Sequence, residues 1–178
     1  MNEGARANER NSEHMTDGSD ALQRLVEIEA LRQLKARYFR ALDTKQWEEF
    51  ADTFSEDAVL EVDSAVSTWG GDGGHKIQAS GRAQIRDMVR ASRHETVTVH
   101  QGHTAEIEVL SPATAKAIWL LEDIVDSPAV YRRSHGHYHE TYEKIAGRWY
   151  IKTLKLTRLR IEEIHRTQPL GGNASLSR

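Results

Sequence analysis

The sequence contains no cysteine, which excludes disulfide bonds, a thiolate nucleophile and a cysteine-ligated metal. No apolar run approaches the length of a membrane span. The first twenty residues lack the apolar segment of a signal peptide, so we interpret the protein as cytoplasmic. The formal net charge is −3, without the clustered Lys and Arg residues of a nucleic-acid surface. We therefore expect neither a membrane nor a nucleic acid as a partner.

The 178 residues suggest one domain that is large enough to bury a sizeable core. Residues 1–20 are polar and are predicted to form a disordered tail. The folded domain is predicted at 21–164. Residues 165–178 are predicted to be a flexible tail.

Apolar residues at steps of three and four predict a first helix. They are Leu22, Leu25, Ile28, Leu31, Leu34, Tyr38 and Leu42. The same spacing of Trp47, Phe50, Ala51 and Phe54 predicts a second, shorter helix. The glycine-rich stretch 67–80 is predicted to be a loop, and a third helix is predicted at about 81–93.

Alternating residues predict a strand at 57–63 and four long strands after the third helix. The four long strands are predicted at about 96–110, 113–126, 130–145 and 148–163. Helices followed by strands that short turns connect favour an α+β fold, with helices on one face of an antiparallel sheet. The concave face of such a sheet is a natural site for a small molecule.

Asp43 stands at the break between the first two predicted helices, and Tyr38 precedes it by five residues. With Gln46, Asp43 fits a D-x-x-Q variant of the capping box, which is a structural role. Tyr38 alone is typical of a core residue with a tethered hydroxyl. The alternative is that Asp43 is half of a catalytic pair.

Two histidines on the strand at 96–110 compete for the interior. Alternation groups His103 with the apolar residues and places His100 on the opposite face. Gly102 between them could mark a bulge that changes the alternation. The pattern by itself leaves both histidines open.

Asp123 shares a face of the next strand with Trp119 and Leu121. A buried carboxylate must be paired or hydrogen-bonded, and a position at the rim is the alternative. Trp119 and Leu121 are most simply core residues, although a pocket wall would use the same side chains. Thr157 on the last strand is a further candidate for the pocket.

The stretch HGHYHET places His135, His137 and His139 on one face of a strand. Three ligands on a straight strand spread over roughly 13 Å, whereas zinc binds its ligands at about 2 Å. We therefore predict no metal site here. His137 and His139 are candidates for polar pocket lining, and a solvated or subunit-contact face is the alternative.

Three stretches resemble the SnoaL-like family of the nuclear transport factor 2-like superfamily. They are LKARYFRALDTKQWEEFADTFSEDAVLEV, VHQGHTAEIEVLSPATAKAIWLLED and HGHYHETYEKIAGRWYIKTLKLTRLRIE. The similarity points to the branch of scytalone dehydratase, hexachlorocyclohexane dehydrochlorinase and bile acid 7α-dehydratase. It implies a cone-shaped α+β barrel, in which a curved, mixed, mostly antiparallel sheet and three helices from the N-terminal half enclose a pocket.

The resemblance also implies a catalytic pair. In this branch an Asp at the end of the first helix pairs with a strand His, and these positions match Asp43 and His100. Tyr38 matches the pocket tyrosine of the bile acid dehydratase, where the dehydrochlorinase has a lysine. The resemblance thus favours His100 over His103.

The function that we expect is that of a cofactor-independent, dehydratase-like lyase or isomerase acting on a hydrophobic ring compound. His100 would abstract a proton, Asp43 would orient the imidazole, and Tyr38 would polarise the substrate. The alternatives are a non-catalytic binding or oxygenase β-subunit-like assembly module, or a polyketide cyclase. Because members of the superfamily are commonly dimers or trimers, we expect a homo-oligomer.

Overall fold

The computed structural model describes residues 3–166, with side chains from residue 18 onward. The elements are α1 Glu3–Asp43, α2 Trp47–Ala51, β1 Phe54–Asp63, β2 Lys76–Ser80, α3 Arg82–Arg93, β3 Val97–Ser111, β4 Thr114–Asp126, β5 Val130–Ile145 and β6 Arg148–His165. Residues 167–178 of the predicted C-terminal tail lie outside the described residues. Within the described range, no helix is long and apolar enough to cross a membrane.

The six strands form one sheet in the order β2-β1-β6-β5-β4-β3. β1 and β6 pair in parallel, whereas the other neighbours are antiparallel. Helix α1 packs against β3 and β6, and α3 packs against β1 and β2, so the helices cover one face. The predicted α+β class, with three helices on a mixed and mostly antiparallel sheet, is confirmed.

Strand β2 lies within the segment that was predicted to be a loop. Its five residues pair antiparallel with the end of β1, from Val59 opposite Ser80 to Asp63 opposite Lys76. So short a segment shows no alternation of its own, and the pairing depends on β1 being present. Phe54 also differs from the prediction, because it begins β1 and does not belong to the second helix.

Helix α1 buries only the C-terminal part of its predicted apolar stripe. Leu31, Leu34 and Tyr38 are in the core, whereas Leu22 and Leu25 are exposed. The backbone of α1 begins at Glu3, N-terminal to the predicted helix. Side chains before residue 18 lie outside the described part, and the limits proposed for the folded domain stay predictions.

A bulge in β3 decides which side chains of this strand face the helices. His103 pairs with Leu120 and Glu106 pairs with Ile118, so β3 has one extra residue between these two pairs. Thr104 lies there with a left-handed φ of 32°. The bulge suggested at Gly102 is therefore wrong in position. It lies after His103, so His100 keeps the inward orientation of Thr98.

Gly102 instead allows α1 to approach β3 closely. A Cβ at this position would lie 2.7 Å from the ring of Phe39. Because that ring packs against Tyr38 and Tyr138, it has little room to move. We expect Gly102→Ala to lower the free energy of unfolding by about 1–3 kcal/mol, as overpacking does. Urea denaturation measures the change.

The control is Gly18→Ala, because a Cβ at Gly18 meets nothing within 4 Å. This exposed helical position should tolerate alanine or gain slightly from it. A Gly102→Ala variant as stable as the parent would show that α1 shifts freely on β3.

Candidate active site

A cavity of about 150 Å³ lies between the concave face of the sheet and the helices α1 and α3. Apolar side chains of α1, β1, α3 and β6 form much of its wall. Its polar and charged lining comes from Tyr38, Ser92, Arg93, His100, Asp123, Tyr138 and Arg158. A larger groove of about 700 Å³ runs along the outer face, past His139 and Lys155. We place the candidate site in the smaller cavity, because His100 lines this cavity and does not line the groove.

Asp43 ends α1 and accepts three hydrogen bonds from β3. The first joins its Oδ1 to Nδ1 of His100 at 2.6 Å. The backbone N–H of His100 donates to Oδ2 at 2.8 Å, and the Thr98 hydroxyl donates to Oδ1 at 2.9 Å. A carboxylate at a helix C-terminus is unfavourable in the helix dipole, and these donors offset that cost.

The contact determines the tautomer of His100. An ionised carboxylate only accepts hydrogen bonds, so the proton of the neutral ring must be on Nδ1. The lone pair is then on Nε2, for which the described residues provide no hydrogen-bond partner. Only 7% of the His100 side chain is exposed, against 22% for Asp43. The arrangement can hold a neutral imidazole with its basic nitrogen free at a shielded site.

The capping interpretation of Asp43 is wrong. Helix α2 has Gln46 as its N-cap residue, without any side-chain hydrogen bond to the cap. Both carboxylate oxygens of Asp43 are instead bound to β3.

Thr98 and Lys45 form a chain of hydrogen bonds that ends at Asp43, and neither residue was predicted to belong to the site. The Nζ of Lys45 donates to the Thr98 hydroxyl at 2.8 Å, and this hydroxyl donates onward to Asp43. Lys45 lies in the turn after α1 with a φ of 61°. Burial lowers the pKa of Lys45, and the charge of Asp43 opposes this. The chain of donors restricts the rotamer of Asp43.

Tyr38 forms part of the cavity wall, where it is almost fully buried. Its ring packs 5.2 Å from that of Phe50 and 5.8 Å from that of Phe54, measured between centroids. Burial raises the pKa of Tyr38 well above its usual range, and the charges of Glu140 and Asp43 raise it further. Tyr38 therefore stays protonated, and its hydroxyl can donate a hydrogen bond.

Asp123 is the cross-strand neighbour of His100 and is buried, so the rim position is wrong. Arg158 Nη1 donates to its Oδ2 at 3.0 Å, and the Ser134 hydroxyl donates to Oδ1. Burial alone would raise the pKa of Asp123, but the charge of Arg158 and the hydrogen bond from Ser134 outweigh it. The pKa therefore lies below its usual range. A second carboxylate thus faces the imidazole.

The sequence analysis missed two arginines of the cavity. Arg158 on β6 is 4% exposed, and its Nε donates to the carbonyl of Asp63 at 3.2 Å. A signal was present, because Arg158 continues the alternation of the buried Leu154 and Leu156. Arg93 ends α3 at the cavity, and no local pattern marks it.

Several predicted pocket residues lie elsewhere. His137, His139 and Thr157 are on the outer face, because the intervening Tyr138 and Glu140 point inward. His139 Nε2 and the Thr157 hydroxyl are 3.2 Å apart there. These positions correct the predicted pocket placement.

Trp119 and Leu121 are core residues and do not line the described cavity. The indole N–H of Trp119 donates to the Tyr142 hydroxyl at 2.9 Å, deeper in the core. His103 is exposed on the opposite face from His100.

Comparisons with known proteins agree with this architecture. A family model described as a SnoaL-like domain matches residues 23–155. A probable cyclase of Gibberella zeae is 28% identical over 139 residues, which are 72% of this chain and 89% of the relative.

Two solved structures show the same fold. A candidate scytalone dehydratase from Novosphingobium aromaticivorans superposes with a TM-score of 0.67 at 22% identity, over 83% of this chain and 95% of that one. A hexachlorocyclohexane dehydrochlorinase from Novosphingobium barchaimii superposes with a TM-score of 0.64 at 19% identity, over 84% and 99% of the two chains.

Proposed function

Because this chain belongs to the SnoaL-like domain family, we propose that it is a lyase or isomerase that acts by proton abstraction. The substrate is a hydrophobic ring compound, and His100 is the base. The observation that carries the proposal is the 2.6 Å contact between Asp43 and His100 beside a largely apolar cavity. The same contact favours an enzyme over a non-catalytic binding or assembly module, for which no such pair is needed.

The reaction begins at a C–H bond next to a carbonyl group. Nε2 of His100 takes the proton, and the electron pair of the bond passes to the carbonyl oxygen. The Tyr38 hydroxyl donates a hydrogen bond to the enolate oxygen as its charge develops. Asp43 and Asp123 stabilise the imidazolium that forms.

In a dehydration, the enolate then expels a hydroxyl group from the next carbon. The imidazolium returns its proton to this group, which leaves as water, and the base is restored. In an isomerisation, the proton returns to another carbon. Neither sequence requires a cofactor, since the enolate carries the charge between the two proton transfers.

The dimensions of the cavity favour a small substrate. About 150 Å³ is close to the volume that holds a benzene ring in an apolar cavity. Typical ligand pockets are larger, at roughly 300–1,000 Å³. The proposal is therefore for a compound with a single ring, rather than a polycyclic one.

A cyclase is the second candidate, favoured by the similarity to the probable cyclase of Gibberella zeae. The same base would remove the same kind of proton. The carbanion would then attack a carbonyl carbon of the same molecule, and the new alkoxide would take the proton. The product has the mass of the substrate, whereas dehydration removes one water, so mass spectrometry distinguishes the two.

We also propose a homo-oligomer, either a dimer or a trimer. Support comes from apolar side chains that the described part of the chain leaves exposed. Leu22 and Leu25 are exposed on α1, and Ile118 and Leu120 on the outer face of the sheet.

The test is a screen for turnover of ring ketones that carry a β-hydroxyl group, beginning with 3-hydroxycyclohexanone. The reactions are run in deuterated water. Mass spectrometry would record loss of water and deuterium uptake at carbon.

We expect His100→Gln to lower the rate by about 10²- to 10⁴-fold, the usual contribution of a general base. His103→Gln is the matched control on the same strand, and it should leave the rate unchanged. Turnover that survives His100→Gln would remove His100 as the base.

A further inference from the structure

Arg93 lines the cavity without an acidic partner. It is the last residue of α3, and its side chain is partly buried. In the described part of the chain, no carboxylate oxygen lies within 4 Å of its guanidinium, whose Nη1 donates to the carbonyl of Ser92 at 3.1 Å. A guanidinium removed from water without a counter-ion is costly, unless a ligand supplies the missing charge.

The two carboxylates of the site already have other partners. Asp43 accepts from His100 and Thr98, and Asp123 accepts from Arg158 and Ser134. Of the two arginines that line the cavity, Arg158 is paired with Asp123, and Arg93 is the one that has no carboxylate partner among the described residues. Burial lowers the pKa of Arg93 and the charge of Asp123 opposes this, but an arginine still keeps its charge near neutral pH.

The helix dipole does not account for this position. A cation in the last turn of α3 is favourable, but Arg90 occupies the same turn with its side chain exposed to water. Arg93 gains nothing more from the dipole by facing the cavity. The dipole therefore leaves the position of Arg93 at the cavity unexplained.

We infer that Arg93 is a specificity-determining residue that binds a carboxylate group of the substrate. The guanidinium matches a carboxylate in a planar, two-point geometry. Together with the cavity volume, this assigns the substrate to the monocyclic carboxylic acids. The inference rests on the proposed function, since it places the acid in the cavity that His100 also lines.

The experiment uses matched pairs of probes, which are benzoate with benzamide and cyclohexanecarboxylate with cyclohexanecarboxamide. The acid and the amide of each pair have nearly the same shape but differ in charge. Dissociation constants would be measured by NMR titration for the parent protein, Arg93→Gln and Arg90→Gln. We expect the parent to bind the acids about tenfold or more tightly than the amides, the effect of a charge-assisted hydrogen bond. Arg93→Gln should bring each pair within about twofold, whereas Arg90→Gln should keep the preference.

Two measurements keep the test valid if Arg93→Gln folds poorly. Arg93→Lys retains the charge but loses the two-point geometry, so it should retain part of the preference. In the parent protein, added salt should weaken binding of the acids and leave binding of the amides unchanged.

Equal binding of acid and amide by the parent would overturn the inference, as would a preference that survives Arg93→Gln. If none of the four probes binds, the inference fails, whereas the proposed function is still decided by the screen of ring ketones. If the acids bind through Arg93 but no compound is turned over, only the proposed chemistry fails.

Discussion

Asparagine in place of Asp43 is expected to lower the rate of proton abstraction by about 10²- to 10⁴-fold while the fold is retained. The carboxylate meets three donors, so both of its oxygens must accept. The amide of asparagine brings a donor into one of these positions. With NH₂ toward the ring, His100 would move its proton to Nε2 and lose the lone pair that takes the substrate proton in the proposed mechanism. In the flipped orientation of the amide, the NH₂ group would face the backbone N–H of His100, so two donors would meet without an acceptor.

Initial rates on a substrate found in the screen would measure the effect, and nitrogen NMR of the imidazole would report its tautomer. Asp87→Asn is the control, because Asp87 is exposed on α3 and paired with Arg86. It should leave both readouts unchanged. If Asp43→Asn kept the parental rate, Asp43 would only attach α1 to β3.

Loss of Lys35 is expected to produce the largest change in stability. Lys35 and Glu140 form an ion pair that is almost completely buried. The Nζ of Lys35 also lies 3.6 Å from the ring centroid of Tyr138 and 4.2 Å from that of Tyr38. Burial lowers the pKa of Lys35, whereas the charge of Glu140 raises it. The Tyr142 hydroxyl donates to the same carboxylate.

Lys35→Met would leave Glu140 buried without its counter-charge. We expect the free energy of unfolding to fall by about 3–5 kcal/mol, the usual cost of breaking a buried pair on one side. The double variant Lys35→Met/Glu140→Gln should lose much less stability, because it leaves no buried charge without a partner. The amide oxygen of the glutamine can still accept the hydrogen bond from Tyr142. Urea denaturation at neutral pH measures both variants.

The exposed pair of Arg40 and Glu49 is the control. Arg40→Met should cost less than about 1 kcal/mol, as surface ion pairs do. A double variant as unstable as Lys35→Met would show that the packing of the lysine chain matters here, and not the unpaired charge.

The site combines residues that the sequence predicted with residues that it did not. Asp43, His100 and Tyr38 were assigned through the family resemblance, and each occupies a place at or beside the cavity. His137, His139 and Thr157 were candidates for the pocket because of the strand face that alternation gave them, and they lie outside the cavity. Their strand has a clear alternation, but alternation alone does not say which of its two faces is the inner one.

The sequence by itself determined the α+β class, the three helices and the long strands, because apolar periodicity within one segment reports which face that segment buries. It also determined that Asp43 ends a helix. Only the tertiary structure decided that β2 exists, since five residues become a strand only when β1 offers its edge.

The tertiary structure also decided how the site is assembled. The bulge at Thr104, which places His100 inward and His103 outward, appears only when β3 is aligned with β4. The contact of Asp123 with Arg158 and Ser134 joins three strands. Such contacts depend on strand register and on the closing of the sheet over the helices, and no local pattern carries either.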